Sequence, residues 1–534
     1  MKSLGCSIVL VAAISLSAVA GPVQSSLTKT GDGVGETISV SLEASGAFQL
    51  SYVFLAPSLG ADPTLAFLTG DPADTLDIPL TLFLAHGVAL SGFTDALGEA
   101  TFPIPVPSTP SLAGLTLYLQ AISIDLTQPK ASVGFISEVS NVAAMSLNTP
   151  GTFAPSLDSM TIGRALHTAT DLGDGRVLVA GGGPVSLANP VGGSATCEIY
   201  NMAGETYTTT GSMGNARVFH SATLLQDGRV LVAGGSDEGH PDPGNPGEFY
   251  SNVFNSAEVF DPATGAWTPV GSMSSYRVAH TATLLNDGRV LITGGAEGAS
   301  SGLGTHVIGD ILDLLTTATA SAEVFDPVTS TFSSVSGMSQ NKGAHGAALL
   351  PSGNVLIGGG ITVTVIFGIP FPSFSTVCQQ FNPSTNSFMG TGSMSEGRAL
   401  FGLTTLNDGR VLATGGIGGS PLNPSAIYSV NIFNSTSWST LPDLATARGT
   451  HADTLLADGR VLVTGGAAGS VVAPVAIAAC EIIDPVAGTV VAASSLNTAR
   501  AIQHNVPLDD GTILIVGGGD STGLGVNTSE TYSP

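Results

Sequence analysis

Charge is scarce in this chain. Asp, Glu, Lys and Arg make up only 10% of its 534 residues, with 15 basic against 40 acidic. The net charge of −25 argues against nucleic acid or an anionic membrane as partner, because both repel an acidic surface. Disorder is not implied, since 43% of the residues are hydrophobic. Cysteine is almost absent, at four residues. Cys197, Cys378 and Cys480 fall at one offset of a repeated unit, where other copies carry Ala257, Ala322, Val430 and Ser529. That predicts buried small side chains in separate units and no disulfide. Beyond the N-terminal segment, no apolar run approaches the length of a membrane-spanning helix, so no membrane insertion is expected. Gly-x-Ser-x-Gly, His-Glu-x-x-His and phosphate-loop motifs are missing, and no catalytic residue is assigned.

The first residues read as an export signal. Lys2 is its basic end, residues 8–16 are mostly apolar, and Ala18-Val19-Ala20 is a small-x-small cleavage site. Residues 1–20 are therefore expected to be removed. The rest is expected to be exported, to an extracellular, cell-surface or periplasmic location.

What is abundant is glycine, at 69 residues, and much of it is ordered in a repeat. Seven times the chain gives a basic residue, a mostly small or apolar segment, Asp-Gly-Arg or a variant, an apolar run and Gly-Gly. Clear copies are residues 217–235 (RVFHSATLLQDGRVLVAGG), 277–295 and 448–466. The turn glycines are Gly175, Gly228, Gly288, Gly353, Gly409, Gly459 and Gly511, at intervals of 53, 60, 65, 56, 50 and 52 residues. A period of this size marks an array of equivalent units. Each unit reads as four strands. In the second, these start near His220, Arg229, Ala257 and Trp267, with turns at Asp227-Gly228 and at residues 261–265.

This phrase resembles the kelch repeat, and its Arg-x-x-His-Ser-x-x-Leu-Leu-x-Asp-Gly-Arg-Val form resembles the galactose-oxidase-like branch. The resemblance covers about residues 150–534. It implies an all-β, seven-bladed β-propeller over residues 149–534, one repeat per blade. The last copy stops after a third strand, and the first is preceded by a lone fourth strand. The strand near residues 152–155 is therefore expected to complete the final blade and close the ring. Residues 21–148 lack the repeat. Short β-like runs at 37–42, 48–55, 80–84 and 115–124 predict a small all-β, sandwich-like domain before the propeller.

Comparing the copies separates architecture from function. Arg164, Arg217, Arg277, Lys342, Arg398, Arg448 and Arg500 stand 11 residues before the turn glycine; Arg176, Arg229, Arg289, Arg410 and Arg460 follow it. An acidic column on strand three, Glu198, Glu258, Glu323, Glu481 and Glu530, is expected to pair with some of these cations. His167, His220, His280, His345 and His451 also share a column, with Phe401 and Gln503 completing it. In the family this column supplies a copper ligand preceded by an axial Tyr. Here the best match, His220, follows Phe219, and no Cys is placed for the family's Cys–Tyr cross-link. The histidines are therefore expected to form a structural ring, with His220 the one metal candidate. Met160, Met213, Met273, Met338 and Met394, with Leu444 and Leu496, read as packing.

Function is expected in the variable loops after Gly-Gly, since binding favours loops on a rigid scaffold. Residues 236–256 hold Asp237, Glu238, His240, Asp242 and Tyr250; residues 296–321 hold His306 and Asp310. These seven are the candidate binding residues, for a glycan or protein ligand. Asp237 to Asp242 lacks calcium-loop spacing. No cofactor is called for, although the residues leave copper and calcium open. The alternative is a carbohydrate-active or galactose-oxidase-like enzyme on the same scaffold. Oligomeric state is not legible.

Overall fold

The computed structural model describes residues 151–534, apart from 184–192, 238–239, 242–248, 301–305, 309–316, 367–368, 421–422, 471–472 and 523, and eight strands before residue 151. The export signal, the run at 80–84 and the candidate residues Glu238, Asp242 and Asp310 lie outside the described residues. The chain divides into two compact units, Met1–Thr149 and Pro150–Pro534.

In the first unit, Ser26–Thr30, Thr37–Glu43 and Glu99–Pro105 form one antiparallel sheet. A second sheet orders Val88–Phe93, Leu50–Ala56, Leu115–Ile124 and Ile136–Val139, with Ala143–Leu147 also paired to Leu115–Ile124.

Among the described residues, the second unit holds seven four-stranded antiparallel blades, one per copy of the phrase. Blade 2 runs Ser221–Leu224, Val230–Ala233, Ala257–Asp261 and Ala266–Pro269. The innermost strand of each blade touches that of the next, and His504–Pro507 of blade 7 touches Thr168–Asp171 of blade 1. The ring is closed. Blade 7 takes Thr152–Arg164 as its outer strand, with Phe153 opposite Tyr532 and Ala154 opposite Thr531.

The sequence pattern accounts for this packing. Second strands such as Val230–Ala233 are covered on both faces, so they read as unbroken apolar runs. Fourth strands such as Ala266–Pro269 face solvent and read as mixed. A hydrophobic cluster fills every joint between blades. Leu178, Ile199 and Met213 of blade 1 meet Val230, Val232 and Phe260 of blade 2, for example. Each of the seven clusters contains one member of the methionine–leucine column. The three cysteines are buried in three of these clusters as free thiols. Each Asp-Gly turn needs its glycine, because φ there is positive, between +76° and +88°.

The first basic column is wholly buried. In blade 2, Arg217 Nη1 donates to the Gly234 and Ser256 carbonyls, while Nη2 donates to Ser256 Oγ and Glu258 Oε1. Five such Arg–Glu pairs lie within single copies of the repeat at 2.6–3.0 Å, as expected from the matched columns. The second carboxylate oxygen of each Glu accepts a backbone N–H from the segment entering the blade, Gly214 in the case of Glu258. Asn431 replaces the acid for Arg398; Lys342 instead donates to Gly359 O, Val377 O and Ser375 Oγ.

The second basic column sits at the surface, each Arg bonded to the Asp two residues earlier. Exposed pairs contribute little. Arg229→Ala is expected to change stability by less than about 1 kcal/mol, read by urea denaturation.

Candidate functional site

The Gly-Gly and histidine columns explain each other. A Cβ on Gly234, the first glycine of its pair, would lie 2.5 Å from the Arg277 carbonyl oxygen and 2.8 Å from Cε1 of His280 in the next blade. A Cβ on Gly235, the second, would lie 2.9 Å from Cβ of His220 in its own blade. The same relation recurs around the ring, with Phe401 and Gln503 in the histidine place and Gly517 of blade 7 meeting His167 of blade 1. Each glycine pair thus grips the base of its own histidine and the tip of the next.

The residue before each histidine carries a backbone strain that the sequence did not show. Leu166, Phe219, Ala279, Ala344, Leu400, Thr450 and Ile502 all have φ between +51° and +60°. Such values disfavour side chains with a Cβ and are concentrated where surrounding structure over-determines them. Here they form an annulus about the ring axis. Phe219 N–H donates to Leu166 O, Ala279 to Phe219, Ala344 to Ala279, Leu400 to Ala344, Thr450 to Leu400 and Ile502 to Thr450, at 2.8–3.2 Å.

Just beneath lie the histidines. His220 Nε2 is 3.0 Å from Thr168 Oγ1, and His280 Nε2 is 2.9 Å from Ser221 Oγ. His345 Nε2 is bonded to Thr281 and Thr293, and His451 Nε2 to Thr414. Gln503 reproduces the joint with an amide, its Nε2 donating to Thr464 O. Burial, and then the buried cation of the same blade, pushes His220, His280, His345 and His451 down to about 3. They are neutral at ordinary pH. Asp453 stands out beside His451, in the place of Ala222. Burial raises its carboxyl to about 7, and Thr414 Oγ1 donates to its Oδ2 at 2.6 Å.

The annulus and histidines line an axial cavity of about 310 Å³. Among the described residues, its lining includes no Asp, Glu, Lys or Arg. It joins apolar Leu166, Phe219, Leu400 and Ile502 to imidazoles.

Described parts of the long loops after Gly-Gly pair with one another through their backbones. His240–Pro241, Phe249–Val253, His306–Ile308 and Ala299–Ser300 make one sheet from the loops of blades 2 and 3. Arg398–Ala399, Ile417–Ser420, Asn423–Ala426, Ala467–Ser470 and Ala473–Ala476 make another across blades 5 and 6. The apolar loop of blade 4 is the hairpin Ile361–Ile366 with Ile369–Phe374.

The structure brings two of the seven candidate residues together. His240 Nε2 is 2.9 Å from Asp237 Oδ2. Asn252, which sequence reasoning passed over, donates its N–H and its Nδ2 to the same carboxylate, both at 2.7 Å. Backbone register sets Tyr250 opposite His240 and His306 opposite Val253. His504 was also passed over. It replaces the Ser or Thr that follows the column position in blades 1, 2 and 3, a signal visible only once the copies are aligned.

Comparison with known proteins fits this geometry. The Kelch motif model matches residues 217–274, which is blade 2 and its approach to blade 3. The chain carries a kelch motif within a propeller of seven described blades. This kelch-repeat chain is 31% identical over 96 residues to an F-box/kelch-repeat protein of Arabidopsis thaliana, covering 18% of the chain and 21% of that protein. It is 29% identical over 140 residues to a kelch-like protein of Aspergillus terreus, covering 26% and 28%. The chain thus spans about a quarter of the length of these curated relatives. A fungal alcohol oxidase of the AA5 family, solved in complex with copper, shares the fold at a TM-score of 0.52 and 16% identity. The match covers 72% of this chain and 76% of that one.

The kelch-repeat ring does not offer copper a fitting donor set. Among the described residues, no three His, Cys, Asp or Glu side chains are grouped to hold a metal ion, and no Tyr lines the axial cavity. His220 has its Nε2 bonded to Thr168 and its Cε1 edge against Gly181.

Proposed function

We propose that this exported kelch-repeat propeller is a binding protein that takes a glycan or protein ligand on its loop face, over the axial cavity. The observation that carries this reading is the Asn252–Asp237–His240 cluster. The Arg, Glu, His, Gly and Met columns are used up in joints between and within blades. This cluster lies outside the repeat, on a sheet made by two loops. Asp237 is held by three donors, and its hold on His240 presents a half-buried imidazole at the loop face. A fixed imidazole edge is suited to hydrogen-bonding a hydroxyl or a peptide group.

The test is a glycan array and a pull-down with the purified chain, repeated with Asp237→Ala and His240→Ala. Each variant is expected to weaken binding about tenfold or more, the scale of a charge-assisted hydrogen bond. Undiminished binding by both variants sinks the choice of face. The likeness to a copper alcohol oxidase motivates the rival reading, an oxidase. Metal analysis together with a peroxide assay on primary alcohols decides it. Stoichiometric copper with peroxide release overturns the binding reading.

A further inference from the structure

Five of the seven joints around the axis set a polar side chain against a hydroxyl, and the joint between blades 7 and 1 does not. At four joints an imidazole meets a Ser or Thr hydroxyl; Gln503 meets Thr464 at the joint of blades 6 and 7. At the joint of blades 4 and 5, Phe401 packs over Gly346 and nothing there titrates. Between blades 7 and 1, the hydroxyl's place is held by His504. The rings of His167 and His504 meet edge to face, with centroids 5.1 Å apart. Both ring nitrogens of His167 lack a hydrogen-bond partner, although the side chain is almost wholly buried. The backbone annulus is also incomplete here. Six N–H···O bonds link consecutive blades, and among the described residues none joins Leu166 N–H to the Ile502 carbonyl.

We propose that acidification opens the propeller at this one joint, with His167 and His504 as the pair that forces it apart.

A histidine facing a hydroxyl keeps an acceptor when it gains a proton, because the oxygen's lone pairs take the Nε2–H. His167 has no such hydroxyl. A proton on either ring faces another imidazole. The titratable groups facing the pair add to the repulsion. Arg164 and His220 act on His167, and His504 acts on His220 in turn. Against this repulsion stand two backbone carbonyls, that of Arg164 favouring a charged His167 and that of His167 favouring a charged His504. No carboxylate acts on either ring. At the joint of blades 5 and 6, by contrast, Asp453 stands 3.4 Å from His451. Burial, and for His167 the neighbouring imidazole and guanidinium, holds both groups below the ordinary histidine range. Both are therefore neutral in the closed ring, and the acid that charges them favours the open one.

The experiment is hydrogen exchange by mass spectrometry on the full chain, stepped from pH 7 to pH 5 and corrected for intrinsic rates. Residues 165–168 and 501–507 are expected to lose protection first, ahead of 344–346 and 399–405 at the apolar joint. His504→Ser gives His167 the hydroxyl that Ser221 gives His280. It is expected to lower opening at pH 5 roughly tenfold, the factor set by one unit of differential proton affinity, and to leave pH 7 unchanged. Ser221→Ala makes the converse change and is expected to bring acid sensitivity to the joint of blades 2 and 3. Should His504→Ser fail to fold, His167→Gln, which copies Gln503, gives the same reading. Simultaneous loss of protection at all joints, or an unchanged order in these variants, overturns the proposal. No ligand enters the measurement, so its failure leaves the loop-face reading untouched.

Discussion

Taking the folded chain from pH 7 to pH 5 is expected to lower the propeller's stability by several kcal/mol. His220, His280, His345 and His451 titrate near 3 in the folded ring, because burial excludes the charged form. In the unfolded chain each returns to about 6.5. The unfolded state therefore binds more protons between these limits, and stability falls as pH drops below the unfolded value. At pH 5 each histidine costs about 2 kcal/mol, or about 8 kcal/mol for the four. Asp453 has the opposite sign. Its folded value is raised to about 7, so it regains about 2 kcal/mol over the same interval. The net loss is about 6 kcal/mol. Denaturant titrations at pH 7, 6 and 5 measure it, and a flat profile would show that the ring is not neutral. The chain supplies its own control, because Gln503 makes the same joint without titrating. Changing the four histidines to Gln is expected to flatten the acid limb while leaving stability at pH 7 within a few kcal/mol.

Glu258→Ala is the second change with a large expected effect. Arg217 is fully buried, and burial pulls its guanidinium below the ordinary value while Glu258 holds it up. Removing the carboxylate strands a buried cation and orphans the Gly214 N–H. Breaking a buried pair from one side costs about 3–5 kcal/mol. Glu258→Gln is expected to cost less, because an amide oxygen still accepts from Arg217, as Asn431 does from Arg398. Thermal unfolding separates the two variants. Equal losses would mean that the charge, rather than the hydrogen bond, holds the blade.

Much of the blade architecture was legible because seven copies allow internal comparison. The Asp-Gly turns, the buried Arg–Glu pairing and the methionine column each follow from residues that recur in register. The axial site was half legible. The histidine column pointed to the axis, but the strain at Leu166, Phe219 and their five counterparts did not show, because those positions share a backbone conformation and no side-chain chemistry. His504 was missed because its meaning lies in an absent hydroxyl. Asn252 was missed because it sits 15 residues from the Asp237 it holds, and only pairing between two parts of one loop brings them together.

The strand Thr152–Arg164 is made before every other strand of the ring, and its partner Val526–Ser533 is made last. Ser156 and Ser529, hydrogen-bonded across this seam, are 373 residues apart in the chain. Throughout synthesis the early strand has an unpaired edge, and six blades can stack before the ring can shut. Closure is thus the most non-local event in folding, and such contacts are slow because their loop entropy is lost before any contact repays it. A newly made chain passes through a stage with two open rims that fit each other. Those same rims fit a second newly made chain equally well, so crowding of nascent chains favours exchange of this strand between molecules.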